Sequence, residues 1–327
     1  MENFKDSKIT EFSNKAKLSG KGSLIEIPKN PKKGFNFGYL LFVPENISDC
    51  TSLIVEGANP QSVFESIEEA EEEIKDLIKT FGYLIFDWNK ETNFPILVPM
   101  FPKIFKNNKT TYTNMLTSGT LNLTDELFKR LDKQLINMIA DAKERMGKND
   151  IYVDEKIIIN GFSGSSKFAN RFTILHPEMV KLCIGGAVTG CLTLPIKQLN
   201  NEKLIFPIGV GDLPEIDDKK IDDFLKVQQF YYMGLDDTND PFTSISENNF
   251  APRYNETMKE EEIKQLYTIL GRNATGDRWE NTQKIYNQLG VNVTFESYQN
   301  EGHRPHLASE KATELLKSQI ITKTKNK

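Results

Sequence analysis

The chain has 327 residues, of which 38% are hydrophobic and 27% charged, with a net charge of −5. That length can bury one large core, or one core with a substantial insertion, and the negative balance argues against a nucleic-acid partner. No apolar run reaches the ~18 residues that would suggest a membrane span. The opening Met1-Glu2-Asn3-Phe4-Lys5-Asp6 is polar with no apolar run behind it, so no secretory signal is expected and the cytoplasm is the expected location.

Residues 1–20 read as a polar N-terminal arm and residues 21–327 as a single domain. Short β-like runs come first, at Ser23–Ile27, Phe37–Val43 and Leu53–Glu56. From Val63 to Thr80 the apolar positions Phe64, Ile67, Ala70, Ile74, Leu77 and Ile78 fall at helical spacing. A strand is expected at Tyr83–Phe86. Pro95 to Pro102 is apolar but interrupted by proline, which argues for a loop beyond a strand end. Thr124-Asp125-Glu126 opens a helix with Leu127, Leu131, Leu135, Met138 and Ile139 along one face.

Lys156–Asn160 is then an apolar strand, followed by a helix from about Ser165 to Leu175 that stops before Pro177. Val180–Ile184 and Gln229–Met233 read as strands, and Ile205–Val210 as a strand or part of a loop. Helices are expected over Glu256–Leu270 and Asp277–Leu289, a last strand over Val291–Tyr298, and a last helix from near Ala308. Apolar runs alternating with amphipathic helices imply an α/β fold, a mostly parallel sheet with helices on both faces. The first strands lack intervening helices, so that edge should be antiparallel. The three cysteines, Cys50, Cys183 and Cys191, are too few for a disulfide framework and read as ordinary thiols, with no metal site.

The chemistry concentrates at Gly161-Phe162-Ser163-Gly164-Ser165, a G-x-S-x-[G/S] run between an apolar strand and a helix. A turn this sharp strains the serine backbone and needs small residues on either side. The amides opening the helix would face the serine and stabilise negative charge there. A nucleophilic serine needs a base, and the chain has three histidines. His176 ends the helix that starts at the serine, roughly 18 Å away at the helical rise. His303 and His306 follow the last strand, in a loop that can reach back over the strand ends. Gly302 lets the chain turn just before His303, which favours it over His306. Asp236, Asp237 and Asp240, after the strand ending at Gly234, and Asp212 are candidates for the acid that orients the base. The amide of Gly164 and one from the loop Glu56-Gly57-Ala58-Asn59-Pro60, at Ala58 or Asn59, are candidates for the oxyanion hole. Phe101, Tyr112, Phe242 and Trp279 are candidates for an apolar substrate pocket.

The stretch Asn160–Phe172 resembles the nucleophile elbow of α/β-hydrolases, particularly bacterial esterases related to polyhydroxybutyrate depolymerases. Gly234 followed three residues later by Asp237 resembles that fold's acid turn and favours Asp237 over Asp236 and Asp212. Gly302-His303 resembles its histidine loop. Two departures stand out: Val55–Asn59 does not match the family's His-Gly oxyanion motif, and Ser165 stands where glycine is more common. The resemblance spans roughly residues 35 to 320. It implies an α/β-hydrolase fold and hydrolysis of a small-molecule ester by Ser163, Asp237 and His303 without a cofactor. A peptidase or amidase using the same triad, or a ligand-binding protein on the same fold, are the alternatives. Some sixty-five residues separate Asp237 from His303, about twice what a single crossover needs. A cap over the site, at residues 240–289, is therefore expected.

Overall fold

A computed structural model describes residues 8–12, 22–47, 51–60, 62–80, 84–106, 109–240 and 258–320. The elements run in chain order as β1 (Lys8–Phe12), β2 (Gly22–Ile27), β3 (Tyr39–Pro44), β4 (Ile54–Glu56), α1 (Ile67–Thr80), α2 (Leu84–Trp88) and β5 (Ile96–Pro99). A small hairpin, β6 (Phe105–Lys106) with β7 (Lys109–Thr110), precedes α3 (Ser118–Leu121) and α4 (Leu131–Gly147). Next come β8 (Ile157–Phe162), α5 (Gly164–Leu175), β9 (Val180–Gly186), the hairpin β10 (Gln198–Leu199) and β11 (Glu202–Lys203), and α6 (Asp218–Lys226). The chain closes with β12 (Gln228–Gly234), α7 (Glu260–Ile269), α8 (Asp277–Gln288), β13 (Val293–Tyr298) and α9 (Ser309–Ser318).

The described residues form a nine-stranded sheet in the order β1-β2-β3-β5-β4-β8-β9-β12-β13. The strands from β1 to β5 pair antiparallel, and those from β5 through β13 pair parallel. Alternation along each strand feeds two cores. On β8, Ile157 and Ile159 join the core under α4, α5 and α8, while Ile158 joins the one under α1, α2 and α9. On β3, Tyr39, Leu41 and Val43 face the first core, and Leu40 and Phe42 the second. This is the α/β architecture with an antiparallel edge that the alternating pattern implies. Among the described residues no helix is long and apolar enough to cross a membrane.

Four local expectations change. The apolar run expected as a strand at Tyr83–Phe86 is instead the helix α2; Tyr83 itself lies outside the described residues. Ile85, Phe86 and Trp88 all enter one core, and Trp88 donates from Nε1 to Ser309 Oγ at 3.0 Å, which ties α2 to α9. So short an apolar run carries no readable period. The missing strand is β5, inside the stretch expected as a loop. Its prolines sit at the ends: the Pro95 carbonyl accepts from the Ile54 amide at 2.9 Å, and Pro99 is the last strand residue. Ile96, Leu97 and Val98 between them keep their donors. The helix expected from Thr124 begins only at Leu131, because Arg130 is left-handed at φ 50° and residues 126–130 form turns. Finally, Lys8–Phe12, within the expected polar arm, pairs with β2 as an edge strand.

Candidate active site

Ser163 occupies the one-residue turn between β8 and α5, with φ 60° and ψ −117°. That left-handed φ is unfavourable for a residue with a Cβ, and it turns the chain at once from strand to helix. The amide of Ser163 donates to the Gly186 carbonyl at 2.9 Å, which anchors the turn to β9. A Cβ on Gly161 would lie 2.2 Å from the Ser165 carbonyl oxygen, so the turn closes only around glycine there. Ser165 fits where the resemblance leads one to expect glycine for two reasons. Its hydroxyl accepts from the Phe162 amide at 2.9 Å and donates to the Phe162 carbonyl at 3.0 Å. Its Cβ finds room because position 57 lacks one: a Cβ on Gly57 would lie 2.7 Å away.

The other two expected residues meet although they are far apart in sequence. His303 Nδ1 lies 2.7 Å from Asp237 Oδ2. The Asp237 side chain is 1% exposed and that of His303 26%. The loops carrying them are laced together: the Leu235 amide donates to Tyr298 O and the Asp236 amide to Glu301 O, each at 2.9 Å. A Cβ on Gly234 would strike the Glu301 carbonyl at 2.2 Å, so this approach also needs glycine. Burial opposes ionisation of Asp237, but hydrogen bonds from His303 and from the Asn239 amide outweigh it and hold its pKa below the ordinary carboxylate value. The His303 ring packs 4.7 Å, centroid to centroid, from Phe162, the residue before Ser163.

The competing aspartates and histidines have other engagements. Asp212 accepts from the Phe206 amide at 2.6 Å, Asp240 pairs with Arg278 at 3.1 Å, and Asp236 is exposed. His176 caps the far end of α5, with Nε2 2.9 Å from Asp132, and His306 is exposed.

Ala58 and Asn59 follow β4 and lie beside the start of α5. A Cβ on Gly164 would come within 3.2 Å of both Asn59 Oδ1 and Asn114 Cβ. Asn59 Nδ2 donates to the Phe162 carbonyl at 3.1 Å. Asn114 Nδ2 in turn donates to Asn59 Oδ1 at 2.7 Å and to the Pro60 carbonyl at 2.9 Å. This asparagine relay fixes the Ala58–Asn59 loop beside Gly164. Asn114 carried no signal in the sequence, being one polar residue in an irregular stretch. Glu56 was also missed. It is 2% exposed, and burial pushes its pKa up to about 8 despite a hydrogen bond from Asn160 Nδ2.

The expected pocket aromatics are placed differently. Phe101 and Tyr112 are 2% and 3% exposed and pack edge-on to each other and against Phe168. Trp279, 1% exposed, packs against Phe295 and donates to Ser297 Oγ. All three belong to the packed core rather than to an open pocket. Phe242 and Cys50 lie outside the described residues; Cys183 and Cys191 are free and buried.

No protein-family model matches the chain, and no curated protein matches it. Among solved structures it is similar to poly(aspartic acid) hydrolase-1 from Sphingomonas sp. KT-1. The two share 15% identity over 95% of this chain and 98% of that one, with a TM-score of 0.52. It is also similar to LpqC, a poly(3-hydroxybutyrate) depolymerase from Bordetella parapertussis, with 13% identity over 93% and 92% of the two chains and a TM-score of 0.54. At these identities the likeness concerns the fold, which is that of the α/β-hydrolases.

Proposed function

We propose that this protein is a serine hydrolase that cleaves small carboxylic esters through an acyl-enzyme on Ser163. The observation that carries the reading is the left-handed Ser163 turn at the end of a parallel strand, with the His303–Asp237 pair packed beside it. In this mechanism His303 takes the Ser163 hydroxyl proton through Nε2 as Oγ attacks the ester carbonyl carbon. The Gly164 amide and an amide of the Ala58–Asn59 loop stabilise the oxyanion. Collapse breaks the C–O bond, His303 returns the proton to the departing alcohol, and water then releases the acid by the same route. Asp237, ionised, accepts from Nδ1–H and fixes the ring's tautomer.

LpqC, a depolymerase of poly(3-hydroxybutyrate), supports the ester reading. Amide cleavage by the same residues is the second reading, since one neighbour is a poly(aspartic acid) hydrolase. A fluorophosphonate probe should label Ser163. Ser163→Ala should lose nearly all turnover of nitrophenyl esters, with at most a residual rate of ~10³ over water. Retention of more than a few per cent of wild-type activity would refute the assignment, and paired ester and anilide substrates separate the two readings.

We also infer that α7 belongs to a cap and that α8 is the crossover. Tyr286 and Trp279 of α8 pack on Phe295 of β13, as a crossover helix must. The inner face of α7 buries Ile263 and Leu266, its Glu262 accepts from the Ser118 hydroxyl, and its Gln265 accepts from the Ile205 amide. The irregular stretch expected at Pro241–Pro252 lies outside the described residues. Leu266→Ala, which loosens the seat of α7 on the core, should through that shift raise KM more for long-chain than for acetyl esters. Equal KM changes along the series would leave α7 a purely structural role.

A further inference from the structure

Ser163, Lys167 and Arg171 are spaced four apart and form one row along α5, each position ~6 Å further from the turn at the helical rise. Lys167 is 2% exposed and Arg171 1%. A cation at such depth normally has an acid beside it, because an unpaired buried charge is costly. Here the nearby acids among the described residues are engaged elsewhere. Asp237 faces His303, and Asp240 pairs with Arg278 at 3.1 Å. Glu262 accepts from the Ser118 hydroxyl and from the Lys259 amide.

Among the described residues, no hydrogen bond or ion pair engages the Lys167 ammonium. Arg171 donates to the Leu116 carbonyl at 3.2 Å and approaches Cys191 Sγ at 3.8 Å, but its Nε is buried with no partner. Burial drives the Lys167 pKa down to about 8 and lowers that of Arg171 as well, outweighing the opposing pull of Cys191 on both, of Asp240 on Lys167 and of Glu262 on Arg171. The Lys167 charge also helps hold down the Asp237 carboxyl, so the ammonium lies within electrostatic range of the proposed triad acid.

We propose that the substrate carries a carboxylate, held by Lys167 with Arg171 behind it, while its ester carbonyl lies at Ser163. The Lys167 ammonium and the unpartnered Arg171 Nε–H offer one donor to each of the two oxygens of a carboxylate. The inference rests on the reading of Ser163 as nucleophile, and it makes Lys167 the residue that sets specificity for acidic over neutral esters.

The test uses the full chain and two substrate pairs. Nitrophenyl hemisuccinate against nitrophenyl butyrate places the charge on the acyl side. 4-Acetoxybenzoate against its methyl ester places it on the alcohol side. Wild type should favour the anionic member of at least one pair by about ten-fold or more in kcat/KM, the range for a charged hydrogen bond. Lys167→Met should collapse that ratio and Lys167→Arg should keep most of it. Glutarate binding, measured by calorimetry, should weaken by a similar factor in Lys167→Met. The substitution replaces a buried charge with an apolar chain and should fold; the wild-type arms need no variant. A wild type that neither prefers an anionic ester nor binds glutarate overturns the inference, as does a preference that survives Lys167→Met. Normal fluorophosphonate labelling and neutral-ester turnover in that event would leave the proposed hydrolase standing. Failure of labelling and of all ester turnover would instead remove the hydrolase reading.

Discussion

At the residue scale, burial assigns different work to carboxylates that look alike in sequence. Asp237 is buried yet ionised because two donors converge on it, whereas Asp236, one residue earlier, faces solvent. Asp237→Asn should therefore lower kcat by about 10⁴-fold, the size seen for the corresponding change in a serine protease. Near-normal kcat in Asp237→Asn, beside an inactive Asp212→Asn, would transfer the role to Asp212. The two histidines of the last loop should separate as cleanly. His303→Ala should abolish ester turnover at every pH. His306→Ala should leave the rate and its pH dependence as in wild type, because that side chain is exposed on the turn before α9. The reverse pattern, His306→Ala inactive and His303→Ala merely weak in binding, would place the base one turn further along.

At the scale of elements, the active turn depends on close approaches that a single methyl group would break. Gly161→Ala would drive a Cβ to 2.2 Å from a backbone oxygen of the next helix turn. Backbone cannot step aside as a flexible side chain can, so the variant should lose about 3 kcal/mol of stability or fail to set Ser163 in its turn. Urea unfolding alongside fluorophosphonate labelling measures both effects, and a Gly161→Ala variant with wild-type midpoint and labelling rate would contradict this account of the turn. Gly57 and Ser165 form a related pair, in which absence of a side chain on the β4 loop makes room for the extra one on α5.

At the scale of the whole molecule, Glu56 couples stability to pH from the central strand of the nine-stranded sheet. Its ordinary pKa of 4.5 rises to about 8 in the folded protein. Between those values the folded chain keeps a proton that the unfolded chain releases, so rising pH favours unfolding. The contribution is complete below the unfolded value and is lost as pH climbs through the folded one. The urea midpoint of wild type should fall between about pH 5 and pH 8, and Glu56→Gln, which mimics the neutral acid, should remove that part of the fall. Parallel midpoint curves for the two proteins would show that Glu56 is ionised in the folded state.

The sequence by itself determined the α/β class, the antiparallel edge, most of the strands, and the strand–turn–helix setting of Ser163. These depend on neighbours along the chain: apolar periodicity, glycine placement and the few histidines available. Tertiary structure decided the rest. It made a helix of the run after Tyr83 and a strand of the run between Pro95 and Pro99, because which short apolar run enters the sheet depends on where an edge of β4 is free to pair. It decided which aspartate faces His303, 66 residues away along the chain, because that choice is made by two loops meeting in space. It also buried Lys167 and Arg171 with no carboxylate hydrogen-bonded or ion-paired to either among the described residues. In the sequence these are two basic residues on a helix, since burial is a property of the packed molecule and leaves no mark on a single turn of chain.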